Sequence, residues 1–142
     1  MTTPKQEDLH AGAAEVDITP WAGVQLSGAV GQKRSAHMIG DRLYAKALVL
    51  ESGGKKLCIV ALDLTIVTRQ ITECIRSTAA SKFGFDRDAV MIHATQTHSA
   101  PSLGHFMLSE DLPGIPEDCD WLLGADREYD RFCEERILKA IE

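Results

Sequence analysis

The chain has 142 residues, enough for one domain that buries roughly two thirds of the surface its unfolded form exposes. A composition of 44% hydrophobic and 25% charged residues is typical of a globular protein and excludes disordered and collagen-like chains. The formal net charge is −6, and the lysines and arginines are scattered along the chain. This charge pattern argues against binding to nucleic acid, which requires clustered cations for the phosphates.

Neither a membrane segment nor a signal sequence is visible. The longest apolar runs, such as LCIVAL at 57–62, are much shorter than the roughly 20 residues that cross a bilayer. The polar N-terminus lacks the apolar core of a signal peptide, which favours a cytoplasmic location. The four cysteines form no CxxC pair. Cys58 and Cys74 lie on apolar faces of their predicted elements, so we expect buried thiols and no disulfide.

The first third of the chain predicts one strand and a long loop. Residues 1–9 are polar and predict a flexible tail. The segment AGAAEVDIT at 11–19 predicts the first strand, which ends at Pro20. A loop rich in Gly, Gln and Ser then covers residues 20–41. A loop of this length in a compact domain is either a functional binding or lid segment or a disordered excursion, and the sequence leaves both open.

The middle of the chain predicts a hairpin followed by a βαβ unit. RLYAKALVLE and LCIVALDL predict two antiparallel strands joined by the turn SGGKK. TRQITECIRSTAASKFG predicts a helix with Thr68 as its N-cap and Gly84 as its C-cap. The apolar segment DAVMIHAT predicts the next strand. Strand, helix and strand form a βαβ unit, whose crossover is expected to be right-handed and whose strands are expected to be parallel.

The last part of the chain predicts a loop and a helix. Residues 101–125 contain three prolines and three glycines, which indicate a loop. Residues 126–142 predict an amphipathic helix with one apolar face, formed by Tyr129, Phe132, Cys133, Ile137, Ala140 and Ile141. The predicted fold is therefore α/β, a mixed sheet with a right-handed βαβ unit and a C-terminal amphipathic helix. We expect residues 10–142 to form a single α/β domain. Because the helix has no C-terminal cap, we expect further protein beyond it and a larger α/β catalytic domain.

Polar side chains follow both strands of the βαβ unit. Asp63 follows the first strand, and Gln96, His98 and Ser99 follow the second. The C-terminal ends of parallel strands meet at one edge of the sheet, where α/β proteins bind their ligands. Alternation along an extended strand places Gln96 and His98 on one face and His93 on the other, among core residues. His105 joins this group only if the following loop folds back.

Histidines and a carboxylate at one edge could bind Zn²⁺, whose catalytic sites use three protein ligands and one open position. An HxH pair would indicate such a site strongly, but its first position here is Gln96, a poor zinc ligand. His98 is therefore either a metal or active-site residue or a surface histidine that hydrogen-bonds the loop. Asp63 either binds a ligand, caps the following helix or satisfies loop amides. A serine nucleophile elbow, a dinucleotide fingerprint and a P-loop are all absent from the sequence.

Four segments, in this order, resemble the N-terminal part of the neutral/alkaline non-lysosomal ceramidase family. They are AGAAEVDITPWAGVQLSG, IGDRLYAKALVLE, LCIVALDLTIVT and AVMIHATQTHSAPSLG. The resemblance covers residues 10–106, and the pattern A-T-x-T-H-S-x-P is its most specific part. It implies a zinc-dependent amidase that cleaves an N-acyl linkage, as in ceramide.

The resemblance also implies roles for individual residues. In the family the motif reads THTHS followed by Gly-Pro. Its first histidine is a zinc ligand and its second lines the reaction centre. The second falls on His98, the expected catalytic residue and candidate zinc ligand, and the first falls on Gln96. Asp63, Gln96, Ser99 and His105 form the expected rim of the active site. The family's nucleophilic serine and remaining ligands lie further along, beyond residue 142, so these 142 residues alone are not expected to be active.

Three functions remain open on these grounds. The first is a fragment of a zinc-dependent, ceramidase-like amidohydrolase that acts on a small-molecule or lipid N-acyl amide. The second is a non-catalytic relative with an impaired metal site, favoured by Gln96, that binds a ligand without turning it over. The third is a structural or interaction fragment whose sheet edge and terminal helix pair with the rest of a subunit.

Overall fold

The computed structural model describes residues 8–29, 31–109, 111–116 and 119–142, so the predicted tail at 1–9 lies almost wholly outside them. The strands are β1 (His10–Asp17), β2 (Tyr44–Ser52), β3 (Lys55–Leu62) and β4 (Val90–Ala94), and the helices are α1 (Arg69–Phe83) and α2 (Arg127–Ile141). Short 3₁₀ turns at Arg87–Ala89 and Asp120–Leu123 lead into β4 and α2. Within the described residues, no helix is long and apolar enough to cross a bilayer.

The four strands form one mixed sheet in the order β1-β2-β3-β4. β2 pairs antiparallel with both β1 and β3, and β3 pairs parallel with β4. The predicted hairpin and the parallel strand pair around α1 are therefore confirmed. Gly53 and Gly54 make the hairpin turn at φ 58° and 74°, a left-handed pair that suits a two-residue hairpin and favours glycine.

Both helices pack on the same face of the sheet. Strand alternation sends one set of side chains to this face, and its most buried members, all 0% exposed, are Ala45, Cys58, Val60, Leu62 and Val90. On the other face Leu48, Leu57 and Met91 are 38%, 42% and 47% exposed. We call this second surface the open face and define it by Leu48, Leu57, Met91 and His93.

Two predictions about burial are wrong. His93 is exposed on the open face, because alternation along β4 turns Val90 and Ile92 toward the helices instead. Cys74 is also exposed, and its thiol lies 3.5 Å from the Glu134 carboxylate on α2. Cys58 is buried as predicted, and burial raises the pKa of its thiol to about 11. All four cysteines are free thiols.

The segment predicted as a long irregular loop contains a narrow two-stranded ribbon. Gly23 N–H donates to the Ala36 carbonyl and Ala36 N–H to the Val24 carbonyl, both at 2.8 Å. Val24 is 1% exposed and belongs to the core. Because these backbone groups are paired and one side chain is buried, the ribbon is fixed to the domain. We use the name ribbon for residues 23–29 and 31–36.

Helix α2 holds the chain that leads from β1 into the ribbon. The Tyr129 hydroxyl donates to the Ile18 carbonyl at 2.6 Å, a buried hydrogen bond. The Trp21 ring lies edge-on to Tyr129 and Phe132, with centroids 6.0 and 5.7 Å away. Such aromatic pairs contribute beyond the area they bury. The start of the ribbon is therefore positioned by the amphipathic helix that the sequence predicts.

Helix α2 also holds the chain that follows the histidine-rich segment. Asp130 is 8% exposed, and its Oδ1 accepts the Gly104 backbone N–H at 3.0 Å. Burial raises the pKa of Asp130 to about 6, partly offset by the Gly104 hydrogen bond and by the charge of His105. Gly104 has φ 77°, and an added Cβ would lie 2.0 Å from Thr68 Oγ1. Glycine is therefore required where this loop crosses the start of α1.

Asp130 should make the stability of the protein depend on pH. Its pKa is about 6 in the folded chain against 3.8 for an ordinary aspartate, so the folded state binds this proton more tightly. The stabilisation is complete below about pH 4 and is lost as the pH rises through about 6. Asp130→Asn keeps an oxygen to accept from Gly104 and removes the titration. We expect its free energy of unfolding, measured in urea, to change less over this range than that of the wild type.

The matched control is Asp41→Asn, which removes an exposed carboxylate of the same size. It should leave the pH dependence of the wild type in place. A pH dependence in Asp130→Asn as steep as in the wild type would contradict the assignment.

Candidate active-site pocket

The segment with the histidine motif continues the parallel pairing of β3 and β4 beyond the strands. We call residues 95–103 the motif loop. Thr95 N–H donates to the Leu62 carbonyl at 2.9 Å, and Leu103 N–H donates to the Ile66 carbonyl at 2.9 Å. These hydrogen bonds hold both ends of the loop against the segment that follows β3. The loop therefore has a defined path although it is not a strand.

Thr65 holds the middle of the motif loop from the inside. Its side chain is buried, and Oγ1 lies 2.6 Å from the Thr97 carbonyl and 3.0 Å from the Ala100 carbonyl. Its N–H donates to the Pro101 carbonyl at 3.0 Å. The single hydroxyl proton serves one of the two carbonyls at a time. Thr65 thereby satisfies buried backbone groups on both sides of the turn that carries His98.

Gln96 ends the extended conformation. β4 stops at Ala94, and Gln96 has φ 64°, in the left-handed region. The prediction that Gln96 and His98 follow one face of an extended strand is therefore wrong, because a left-handed residue turns the chain. Such a conformation is uncommon and strained outside glycine, so it is held by its surroundings. Here the Gln96 N–H donates to the Leu64 carbonyl at 3.0 Å.

His98 is fixed from the outside by the ribbon. An added Cβ at Gly28, which has φ 98°, would lie only 2.5 Å from the ring Cγ, so the imidazole rests directly on this glycine. Arg34 donates from Nη2 to the His98 carbonyl at 2.9 Å and from Nη1 to the Ser27 carbonyl at 3.3 Å. The His98 residue remains exposed. Its ring makes no hydrogen bond within the described part of the chain, which leaves both nitrogens available.

Gln96 and His98 line the same cavity, which we call the motif pocket. Its volume is about 180 Å³, and its other lining residues include Leu26, Ser27, Gly28, Thr65, Ile66, Phe106 and Met107. Small-molecule sites usually measure about 300–1,000 Å³. The motif pocket is therefore large enough for the polar group of a ligand and a short adjoining segment. The apolar lining strengthens hydrogen bonds made inside it.

The other predicted rim residues lie elsewhere. Asp63 Oδ2 accepts from Tyr44 N–H at 3.1 Å and from Lys46 Nζ at 3.3 Å, so its carboxylate pairs with a backbone amide and an ammonium group of β2. Ser99 is exposed and lines a neighbouring cleft. His105 is half-buried next to Asp130 and lines a separate cavity along α2. Of the four predicted rim residues, the structure brings only Gln96 to the pocket of His98.

Three residues that position the motif were missed by the sequence interpretation. Gly28, Arg34 and Thr65 all contact residues of the motif loop that lie more than 30 positions away. The only signal was that Gly28 and Arg34 belong to the long segment marked as a candidate binding loop. Their separate roles depend on contacts between distant segments, which no local pattern encodes.

The described residues do not form a zinc site by themselves. Within the described ranges, no three His, Cys, Asp or Glu side chains lie close enough together to hold a metal ion. His98 is the only imidazole that lines the motif pocket. Gln96 supplies a neutral carboxamide, which is a poor ligand for zinc. The chemistry that these residues support without further protein is hydrogen bonding and proton transfer.

The contact between Gly28 and His98 can be tested with a matched pair of glycines. Gly28 and Gly31 both have positive φ, but an added Cβ at Gly31 meets nothing within 4 Å. We expect each alanine variant to lose about 1 kcal/mol of unfolding free energy from backbone strain. Gly28→Ala should lose more, because its methyl group displaces the ring. Urea unfolding and the NMR signals of the His98 ring measure both effects. Equal losses with unshifted His98 signals would argue against the contact.

Two solved structures share this fold. The chain superposes on the crystal structure of neutral ceramidase from Pseudomonas aeruginosa with a TM-score of 0.75 and 22% identity, over 96% of this chain and 21% of that one. It superposes on a structure of ceramidase complexed with C2 with a TM-score of 0.71 and 23% identity, over 95% of this chain and 20% of that one. At these identities the likeness shows a shared fold. The chain spans about a fifth of the length of either protein.

The family match comes from the sequence itself. Residues 9–111 match the family described as neutral/alkaline non-lysosomal ceramidase, N-terminal. The matched region contains the whole sheet, the ribbon, α1 and the motif loop. Because it covers most of the chain and includes every lining residue of the motif pocket except Gly124, the chain belongs to the neutral/alkaline non-lysosomal ceramidase family.

Proposed function

We propose that the chain is the N-terminal part of a ceramidase-like amidohydrolase that cleaves an N-acyl amide bond in a lipid or a smaller amide. Membership of the family supports the reaction class. The observation that carries the proposal is the placement of His98. Its imidazole rests on Gly28 and lines the motif pocket at the C-terminal ends of two parallel strands. Ligands of α/β proteins bind at this edge of the sheet.

His98 is suited to move a proton in this reaction. Imidazole changes its charge near neutral pH and can therefore act as a general base and a general acid. The ring is exposed and the ribbon holds its backbone. A water molecule or a leaving amine could therefore reach it in a defined orientation. Leu26, Ile66 and Phe106 form apolar walls that limit the access of other water.

Gln96 is suited to orient the amide. Its carboxamide carries one acceptor and two donors, which complement the N–H and carbonyl of an amide bond. It lines the motif pocket together with His98. Gln96 therefore binds the amide, and His98 transfers the proton.

A zinc site would need ligands from protein outside the described residues. The chain spans about a fifth of its solved relatives, and a longer chain could supply carboxylate and imidazole ligands. His98 is the one residue of the motif pocket that could join them.

A second candidate function follows from Gln96. A carboxamide stands where the resemblance implies a histidine ligand, so the protein could bind an N-acyl amide without hydrolysing it. In that case the pocket and the ribbon would serve recognition alone. A mainly apolar pocket that also presents Gln96 and His98 is compatible with either outcome.

The experiment is hydrolysis of an N-acyl amide by the longest natural form of the protein, before and after chelation, together with its zinc content. We expect stoichiometric zinc and chelator-sensitive hydrolysis. His98→Gln should lower kcat/KM by about 10²- to 10⁴-fold, the usual contribution of a general acid or base. The matched control is His93→Gln, an exposed histidine on the open face, which should leave kcat/KM unchanged.

Other outcomes separate the two candidates. Substrate binding without hydrolysis and without zinc would favour the non-catalytic relative. In that protein Gln96→His should raise zinc affinity, because it restores an imidazole beside His98. Full activity in His98→Gln would refute the proton-transfer role given to His98.

A further inference from the structure

The chain carries a second exposed apolar surface besides the open face. All residues from 37 to 41 are exposed. Met38 and Ile39, at the centre of this segment, are 87% and 59% exposed. Trp21 lies across the same cleft and is 39% exposed. Soluble proteins expose single apolar side chains often, but a protruding group of large ones marks an interaction site.

This surface borders a cleft that reaches the motif loop. The cleft has a volume of about 700 Å³. Its apolar lining includes Leu26 and Leu43 beside Trp21, Met38 and Ile39, and Arg34, His37 and Asp41 add polar groups. Its lining also includes Thr97 and Ser99, the two neighbours of His98 in sequence. The exposed apolar segment is therefore connected by a continuous surface to the loop that carries the candidate catalytic histidine.

We propose that Met38 and Ile39, together with Trp21, contact the acyl region of a lipid surface with zwitterionic headgroups, while His37 and Asp41 at the ends of the segment stay at the level of the headgroups. We call these residues the lipid-contact segment. The inference rests on the proposed function, because a long-chain N-acyl amide resides in such a surface. Contact at this place would set the cleft, and the motif loop behind it, against the layer that holds the substrate.

The shape of the segment favours lipid over another protein layer. On the open face, Leu48, Leu57 and Met91 are each less than half exposed and lie on a regular sheet, which suits packing against a further layer of structure. Met38 and Ile39 instead project from a loop, and Met38 exposes most of its surface. A fluid acyl region accommodates such projecting side chains, and Trp is favoured at the boundary between apolar and wet surroundings.

The charges near the segment favour zwitterionic over anionic lipid. Arg42 is paired with Asp17, and the Arg34 guanidinium donates to backbone carbonyls. Neither cation is therefore free to bind headgroup phosphates. The formal net charge of −6 is repelled by an anionic surface. Binding should therefore arise from apolar contact, change little with salt and weaken as anionic lipid is added.

The test is binding of the longest natural form to phosphatidylcholine vesicles, measured by flotation. The double variant Met38→Ser/Ile39→Ser should partition at least about tenfold more weakly, because it removes most of the apolar contact. The matched control is Leu9→Ser/Leu112→Ser, which removes two exposed leucines that lie outside both the open face and the cleft, and it should bind within about twofold of the wild type. Thermal unfolding of each variant identifies any that fail to fold.

Tryptophan fluorescence gives a second readout that does not depend on those variants. Vesicles should shift the emission of the protein to shorter wavelength, and Trp21→Phe should abolish the shift while Trp121→Phe retains it. Without vesicles, a soluble quencher should reach Trp21. A Trp21 that is protected from the quencher would mean that other protein covers the segment, and would overturn the proposal.

The remaining outcomes are also decisive. Absence of vesicle binding, equal losses in the two double variants, or stronger binding to anionic vesicles would each overturn the lipid contact. Hydrolysis of a water-soluble, short-acyl amide by the wild-type protein is measured in parallel. Vesicle binding without this hydrolysis would refute the proposed function and leave the lipid contact standing. Hydrolysis without vesicle binding would refute the lipid contact and leave the proposed function standing.

Discussion

The buried hydroxyl group of Thr65 holds the middle of the motif loop, the segment on which the candidate site depends. Thr65 Oγ1 lies within hydrogen-bonding distance of two carbonyls of that loop, at Thr97 and Ala100. A buried carbonyl without a partner costs about 1–3 kcal/mol, so the loop has little freedom to leave this side chain. From the other side the ribbon donates Ser27 N–H to the Ala100 carbonyl at 2.9 Å. His98 is therefore placed by three segments that are distant in sequence, and no single one of them defines the pocket.

The sheet could be predicted because its determinants are local. Turn glycines at 53 and 54 and apolar runs on either side indicate a hairpin, and a helix between two such runs indicates a parallel pair. The direction of individual side chains was harder to predict in β4. Its sequence is apolar on both faces, with Val90 and Met91 adjacent, so the pattern does not say which set is buried. His93 was assigned to the wrong face for this reason, and only pairing with β3 decides it.

The sequence predicts where the candidate site lies but not which residues form it. Topology alone brings the residues after β3 and β4 to one edge, and His98 lies there. Asp63 follows β3 as well, yet it turns to β2 because the Tyr44 N–H and the Lys46 ammonium group satisfy its carboxylate. Those partners belong to the neighbouring antiparallel strand, so a βαβ argument does not include them. The ribbon contacts of His98 were unpredictable for the same reason, since they join segments about 70 residues apart.

The turn at Gln96 shapes the pocket through backbone contacts, whereas the Gln96 side chain affects only what the pocket binds. The turn is held by the backbone hydrogen bond from Gln96 to Leu64 and by the contacts of the following residues with Thr65. None of these contacts uses the Gln96 side chain. Histidine adopts the left-handed region more readily than most residues, so an imidazole at this position would fit the same turn. An exchange between carboxamide and imidazole would thus change what the pocket can bind while the path of the loop stays the same. Gln96 consequently determines which ligands the pocket can bind and has no bearing on whether the chain adopts this fold.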